Sequence, residues 1–129
     1  MDNQANIKLI ENPNKAGDHS LKAFAKPITI AGTNYTHFKM REASVEDMFD
    51  AEMELARFGA GAHTPLVFNG QMMVRQLEQV SNVQGATFNG PFTMNMLKGW
   101  GPRNYRALRN TQAELDLLGE AESSDQEAL

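Results

Sequence analysis

The side chains able to do chemistry are few and scattered. His19, His37 and His63 are the three imidazoles. No two lie within four residues of each other, and none stands at a metal-ligand spacing from an Asp or Glu. The chain has no cysteine, which removes thiolate zinc sites, disulfide frameworks and a cysteine nucleophile. Six acids lie from Glu42 to Glu54 with no base between them. Paired carboxylates can do acid–base work, but Glu46, Asp50 and Glu54 fall four residues apart. That spacing puts them on one helix face, as a solvated surface or as a docking surface. Lys98, Arg103, Arg106 and Arg109 fall within twelve residues that hold no acid and include Trp100 and Tyr105. Cations for phosphate and aromatics for stacking would serve a nucleic acid. The same Arg residues, spaced by three, also make an ordinary helix surface or a partner for the acidic face on another copy. The balance of 12 Lys and Arg against 16 Asp and Glu, net −4, weighs against nucleic acid. Gly85, Gly90, Gly99 and Gly101 form neither a dinucleotide fingerprint nor a phosphate-binding loop, and there is no Gly-x-Ser-x-Gly. The expectation is a protein that is not an enzyme, with no catalytic residue, no cofactor and no metal.

Methionine is the next signal, at eight residues in 129. Met72, Met73, Met94 and Met96 gather near Phe92, Leu97 and Trp100. Methionine fills irregular cores, and it also recurs on surfaces that accept varied apolar helices. Both readings stand: a core filled with Met, or an edge that leaves an apolar patch for a partner. On the second reading the partner-binding residues are Met72, Met73, Leu77, Met94, Met96, Leu97 and Trp100. Self-association would use Glu46, Asp50 and Glu54 against Arg103, Arg106 and Arg109.

These residues need elements to position them. At 41% hydrophobic and 22% charged, the 129 residues suit one globular domain. No run of eighteen apolar residues exists, so no membrane span is expected. The opening MDNQANIKLIENPNK lacks the apolar stretch of a secretory signal. Residues 1–22 read as a flexible arm. Over 24–41 two β-rich runs surround Gly32-Thr33-Asn34 and predict a hairpin, with Pro27 placing the first strand at an edge. Ser44-Val45-Glu46-Asp47 resembles a capping box, and Val45, Met48, Ala51, Leu55 and Phe58 then fall at helical spacing, predicting a helix over about 45–58 that ends at Gly59. Further helices are expected over about 70–83 (Met73, Val74, Leu77 and Val80 inward), 91–98 with Pro91 at its first position, and 102–118 with Gly119 as its stop. Residues 120–129 carry four acids and read as a disordered tail. The fold class expected is α+β: an N-terminal hairpin followed by a bundle of three to four short helices, one domain over 23–119.

The segment from Lys26 to Met48 carries a resemblance. Lys26-Pro27-Ile28-Thr29-Ile30-Ala31-Gly32-Thr33-Asn34-Tyr35 is similar to the hairpin that opens the tail assembly chaperones of Mu-like phages with contractile tails. Met40-Arg41-Glu42-Ala43-Ser44-Val45-Glu46-Asp47-Met48, with Ala51-Glu52 after it, resembles their strand-to-helix junction. The last helix, with Asn104-Tyr105 and Leu108, resembles theirs too, although Asn104 stands where Asp is usual. The resemblance covers roughly 24–118, and its motifs are structural. It implies a protein of the host cytoplasm that binds the tape measure protein, keeps it soluble while the tail tube assembles, and is absent from the virion. It also implies, as further partners, the tail tube protein and a longer frameshifted form of the chain, and a homo-oligomer is a further expectation. The competing expectation is a connector or completion protein retained in the tail.

Overall fold

Alternating β-branched and aromatic residues make a hairpin of β1 (Lys22–Ile30) and β2 (Thr33–Met40). The computed structural model describes residues 21–59 and 63–128, with side chains as far as residue 119. Ile30 pairs with Thr33, so the turn is the two residues Ala31 and Gly32, at φ 51° and 84°. Positive φ at both centres is the turn whose twist matches the flanking strands. The arm expected over 1–22 lies, up to residue 20, outside the described residues.

The chain then forms α1 (Val45–Ala56), α2 (Pro65–Gln76), β3 (Leu77–Ser81), β4 (Thr87–Phe88), α3 (Met94–Lys98) and α4 (Pro102–Ala128). The four strands form one antiparallel sheet in the order β1-β2-β3-β4, and the fold is α+β. β1 is an edge strand, and its register with β2 slips between Ala23 and Ile28, around the Pro27 that has no N–H to give.

Several boundaries depart from the expectations. The helix expected over 70–83 is α2 followed directly by β3. Thr64 caps α2 through its hydroxyl, accepting the Val67 N–H at 3.3 Å, and Pro65 takes the first turn. At Leu77 the backbone turns extended (φ −68°, ψ 127°), and Val80 then pairs with Phe38. Spacing of three and four between Met73, Leu77 and Val80 fits a helix, but pairing with β2 overrides it. Pro91 follows a cis Gly90–Pro91 peptide, and α3 begins three residues later, capped by Thr93. α4 passes Gly119 and runs through Ala128, where a stop and a disordered tail were expected. No Pro follows, and Ala, Glu and Gln continue the helix well.

The core lies between the sheet and the helices. Phe24, Ile28, Tyr35, Phe38, Met40 and Val80 from the sheet meet Met73, Leu97, Leu108 and Leu115 from the helices. Phe24 touches Phe38 (4.9 Å between centroids) and Trp100 (5.6 Å), and Phe92 touches Trp100 (6.3 Å) and Phe88 (5.4 Å). This chain of tilted and edge-on rings ties both strand pairs to the residues flanking α3. No helix among the described residues is long and apolar enough to cross a membrane.

Candidate functional site: a cleft beside the strand-to-helix junction

The junction from β2 to α1 is locked by charge. Arg41 grips Asp47 with both guanidinium nitrogens, Nη1 to Oδ2 at 2.7 Å and Nη2 to Oδ1 at 2.9 Å. The same two nitrogens donate to the carbonyls of Glu42 (3.0 Å) and Arg75 (2.8 Å). Asp47 closes the capping box by accepting the Ser44 N–H at 2.8 Å, while its own N–H reaches Ser44 Oγ at 3.0 Å. Arg41 therefore holds the start of α1 and the carbonyl end of α2 in one fork. Its guanidinium, foremost by hydrogen bonding, holds the Asp47 carboxyl at about 2, against the opposing push of burial. The carboxylate in turn raises Arg41 above its ordinary value. Behind this pair, Gln76 Nε2 donates to the Arg41 carbonyl (2.9 Å), and Gln112 Nε2 donates to Gln76 Oε1 (2.8 Å). The network joins β2, α2 and α4.

So positioned, the end of α1 and the face of α2 stand against the segment from Asn89 to Lys98, and an open cleft of about 840 Å³ lies between them. It is lined by apolar Phe58, Val74, Leu77, Phe92 and Met94, by polar Gln71, Asn89, Thr93 and Asn95, and by charged Glu54, Arg75 and Lys98. Arg75 is tied along its own helix to the Gln71 carbonyl (2.9 Å) and Oε1 (2.7 Å), which holds its guanidinium at the wall of the cleft. Gly70 lets α2 approach α3: a Cβ there would lie 3.1 Å from Met94 Cε and 3.3 Å from Leu97 Cδ2. A second cleft, of about 570 Å³, runs along the end of β1 between Ile28, Ile30, Phe88, Met96 and Trp100.

The seven residues expected to bind a partner divide three ways. Met72, Met73 and Leu97 are buried, Met73 completely, and pack inside the protein. Their burial corrects the expectation of an exposed Met surface there: Met73 and Leu97 belong to the core between sheet and helices, and Met72 is buried on α2, which packs against α1 as well as against the core. Leu77 and Met94 line the first cleft, Leu77 as a buried floor residue and Met94 half-buried. Met96 and Trp100 line the second, held there by the aromatic chain.

The largest apolar exposure lies elsewhere. Val45 (64%), Met48 (45%), Phe49 (65%) and Met53 (68%) face outward from α1, and Phe58 (65%) stands just past its end. Val45, Met48 and Phe58 fall at helical spacing with Ala51 and Leu55, yet they stand outward. The inward row is Asp47, Ala51 and Leu55, four apart, because the grip of Arg41 on Asp47 fixes the rotation of the helix. Apolar residues occur all around α1, so spacing alone could not choose; the capping residue was the signal that could have.

The charged candidates also separate. Glu46 and Asp50 are exposed on α1, while Glu54 lies 3.5 Å from Arg57. Arg103 and Arg106 are exposed on α4, whereas Arg109 is half-buried and its Nη1 is enclosed without a hydrogen-bond partner. Of the imidazoles, His37 Nδ1 meets Thr36 Oγ1 at 2.7 Å and His63 meets Glu52 at 3.1 Å; His19 lies outside the described residues. Among the described residues no group of three His, Cys, Asp or Glu could hold a metal. No protein-family model, no curated protein and no solved structure matches the chain, so the cleft and the outward face of α1 are what the molecule itself offers as functional surfaces.

Proposed function

We propose that the chain is a tail assembly chaperone of a contractile-tailed phage. It acts in the host cytoplasm, binds the tape measure protein, keeps that long apolar helical client soluble while the tail tube forms, and leaves before the virion is complete. The observation that supports this best is the first cleft. Apolar side chains (Phe58, Val74, Leu77, Phe92 and Met94) share its lining with polar and charged ones, and it is open to solvent with a volume of about 840 Å³. Such a shape suits an apolar helix laid into a groove. The reading also rests on the resemblance of the Met40–Met48 junction, whose residues here build the clasp beside the cleft. Holding an unassembled client draws it away from aggregation by mass action.

The test is coexpression with the phage's tape measure protein, followed by size-exclusion chromatography with light scattering. A joint soluble peak is expected, and it should be lost in Phe58→Ser with Met94→Gln while the lone variant keeps its melting transition. No joint peak, together with the protein found in purified particles, would replace this reading by that of a tail component.

A further inference from the structure

We propose that Asn89 is a self-modifying site: with water as its only co-reactant it loses its side-chain amide and becomes a mixture of aspartyl and isoaspartyl residues, while the chain's other Asn-Gly pair stays intact. The pair occurs twice, each time after a phenylalanine, as Phe68-Asn69-Gly70 and as Phe88-Asn89-Gly90. In an Asn-Gly pair the backbone nitrogen after the asparagine can reach the side-chain carbonyl, because glycine has no Cβ to obstruct it. By sequence the two pairs are equivalent, and the fold separates them.

Asn89 follows the two-residue strand β4 and is exposed. Gly90 stands at φ 97°, outside any helix or strand, and among the described residues no hydrogen bond holds its N–H. The Asn89 amide is held at one end only. Its Oδ1 accepts from Gln79 Nε2 at 2.9 Å, and its Nδ2 has no acceptor among the described residues. Nucleophile and leaving group are therefore both free. Gly70, by contrast, is buried inside α2, where the helical ladder takes its N–H. Asn82 is held at both ends: Oδ1 accepts the Gln84 and Ala86 N–H groups, each at 3.0 Å, and Nδ2 donates to the Asn34 carbonyl at 2.8 Å. The β-branched Val83 after it adds crowding.

Hydroxide removes the Gly90 amide proton, and the nitrogen electron pair attacks Asn89 Cγ. The Cγ–Nδ2 bond breaks, and Nδ2 leaves as ammonia after taking a proton from water. The product is a cyclic imide. Water then opens it at either carbonyl. Cleavage of the bond from Cγ to the Gly90 nitrogen gives aspartate. Cleavage of the bond from the residue-89 carbonyl carbon to that nitrogen gives the isoaspartyl link, whose main chain is longer by one methylene. Overall one ammonia leaves and one water enters, and nothing is oxidised or reduced. Asn89 and Gly90 both line the first cleft with Arg75 and Lys98, so each event gives that cleft a new carboxylate. The aspartate still offers Gln79 Nε2 an acceptor. The chemistry is the chain's own and holds whatever the client is.

The experiment incubates the full chain at mildly alkaline pH for several weeks, then reads its tryptic peptides by mass spectrometry. Trypsin places the two pairs on separate peptides, Phe58–Arg75 and Gln76–Lys98. The second is expected to gain one mass unit, with fragment ions placing the gain at residue 89 and an isoaspartyl methyltransferase labelling part of the product. Conversion at Asn89 should outrun conversion at Asn69 by on the order of tenfold or more, because the Gly70 N–H is released only when α2 opens locally. The rate should rise with pH, as attack by a deprotonated amide requires. Asn89→Gln, whose ring would need one more atom, should leave residue 89 unchanged over the same period. An Asn89 that stays intact while the free peptide Phe-Asn-Gly-Pro converts would overturn the proposal. So would a gain placed at Asn82 or Asn95 instead, or equal rates at Asn69 and Asn89, which would mean conversion only through global unfolding.

Discussion

Asn104 brackets the backbone of Lys26 across 78 residues of sequence: its Oδ1 accepts the Lys26 N–H at 3.0 Å and its Nδ2 donates to the Lys26 carbonyl at 2.9 Å. Lys26 sits in the stretch where β1 slips against β2, so its peptide groups need a partner outside the ladder. One primary amide supplies both a donor and an acceptor, and the second Nδ2 hydrogen also reaches the Trp100 carbonyl at 3.0 Å. An ionised Asp would have no such donor.

Asn104→Asp is therefore expected to lower stability by about 2–3 kcal/mol, because two carbonyls lose their donor and a charge is buried at a residue that is 1% exposed. Urea unfolding of the variant beside wild type measures it. A change below about 0.5 kcal/mol would remove Asn104 from the fastening of β1.

The Arg41–Asp47 clasp sets an acid limb of stability. Asp47 has a folded pKa of about 2 against an ordinary 3.8. A depressed carboxylate pKa stabilises the fold above the ordinary value, and that contribution fades as pH falls through the folded value. Between about pH 4 and pH 2 wild type should lose roughly 2 kcal/mol more than Asp47→Asn, which has no carboxylate to protonate. Parallel urea titrations at stepped pH read the difference directly, and parallel curves would mean that the clasp contributes nothing.

Burial separates two methionines that composition treats alike. Met73→Ala should cost about 2–5 kcal/mol, as expected for a completely buried side chain. Met53→Ala, 68% exposed, should stay within about 0.5 kcal/mol. Thermal melts of the pair decide which face of each helix is inside.

Gly70 predicts a packing limit where α2 meets α3. Gly70→Val would place a branched side chain against Met94 and Leu97, and about 1–3 kcal/mol of destabilisation is expected even though a helix interior ordinarily disfavours glycine. A neutral or stabilised variant would show that α3 stands off from α2.

The turn at Ala31 predicts a gain. An L-residue at φ 51° is disfavoured relative to glycine, and the side chain there is exposed. Ala31→Gly should raise stability by about 0.5–1 kcal/mol, seen as a higher urea midpoint; a drop would mean that the turn does not need positive φ.

Local chemistry determined the parts of this protein that local interactions decide. The hairpin is legible because alternation and a glycine turn act over a few residues, and α1 is legible because Ser44 and Asp47 satisfy their own first turn. Thr64-Pro65 carried a start signal for α2 just as local, though apolar spacing pointed further along. What spacing left undetermined depends on residues far apart. Leu77 to Ser81 forms a strand because β2 offers it hydrogen-bond partners some forty residues earlier in the chain. The rotation of α1 follows from Arg41 gripping both Asp47 and the end of α2, and that turns Phe49 and Met53 to solvent. The division of the methionines between core, cleft and surface follows from the same docking. A run of apolar residues around a helix has no preferred side until a neighbour supplies one, so the candidate surfaces were decided by the tertiary structure alone.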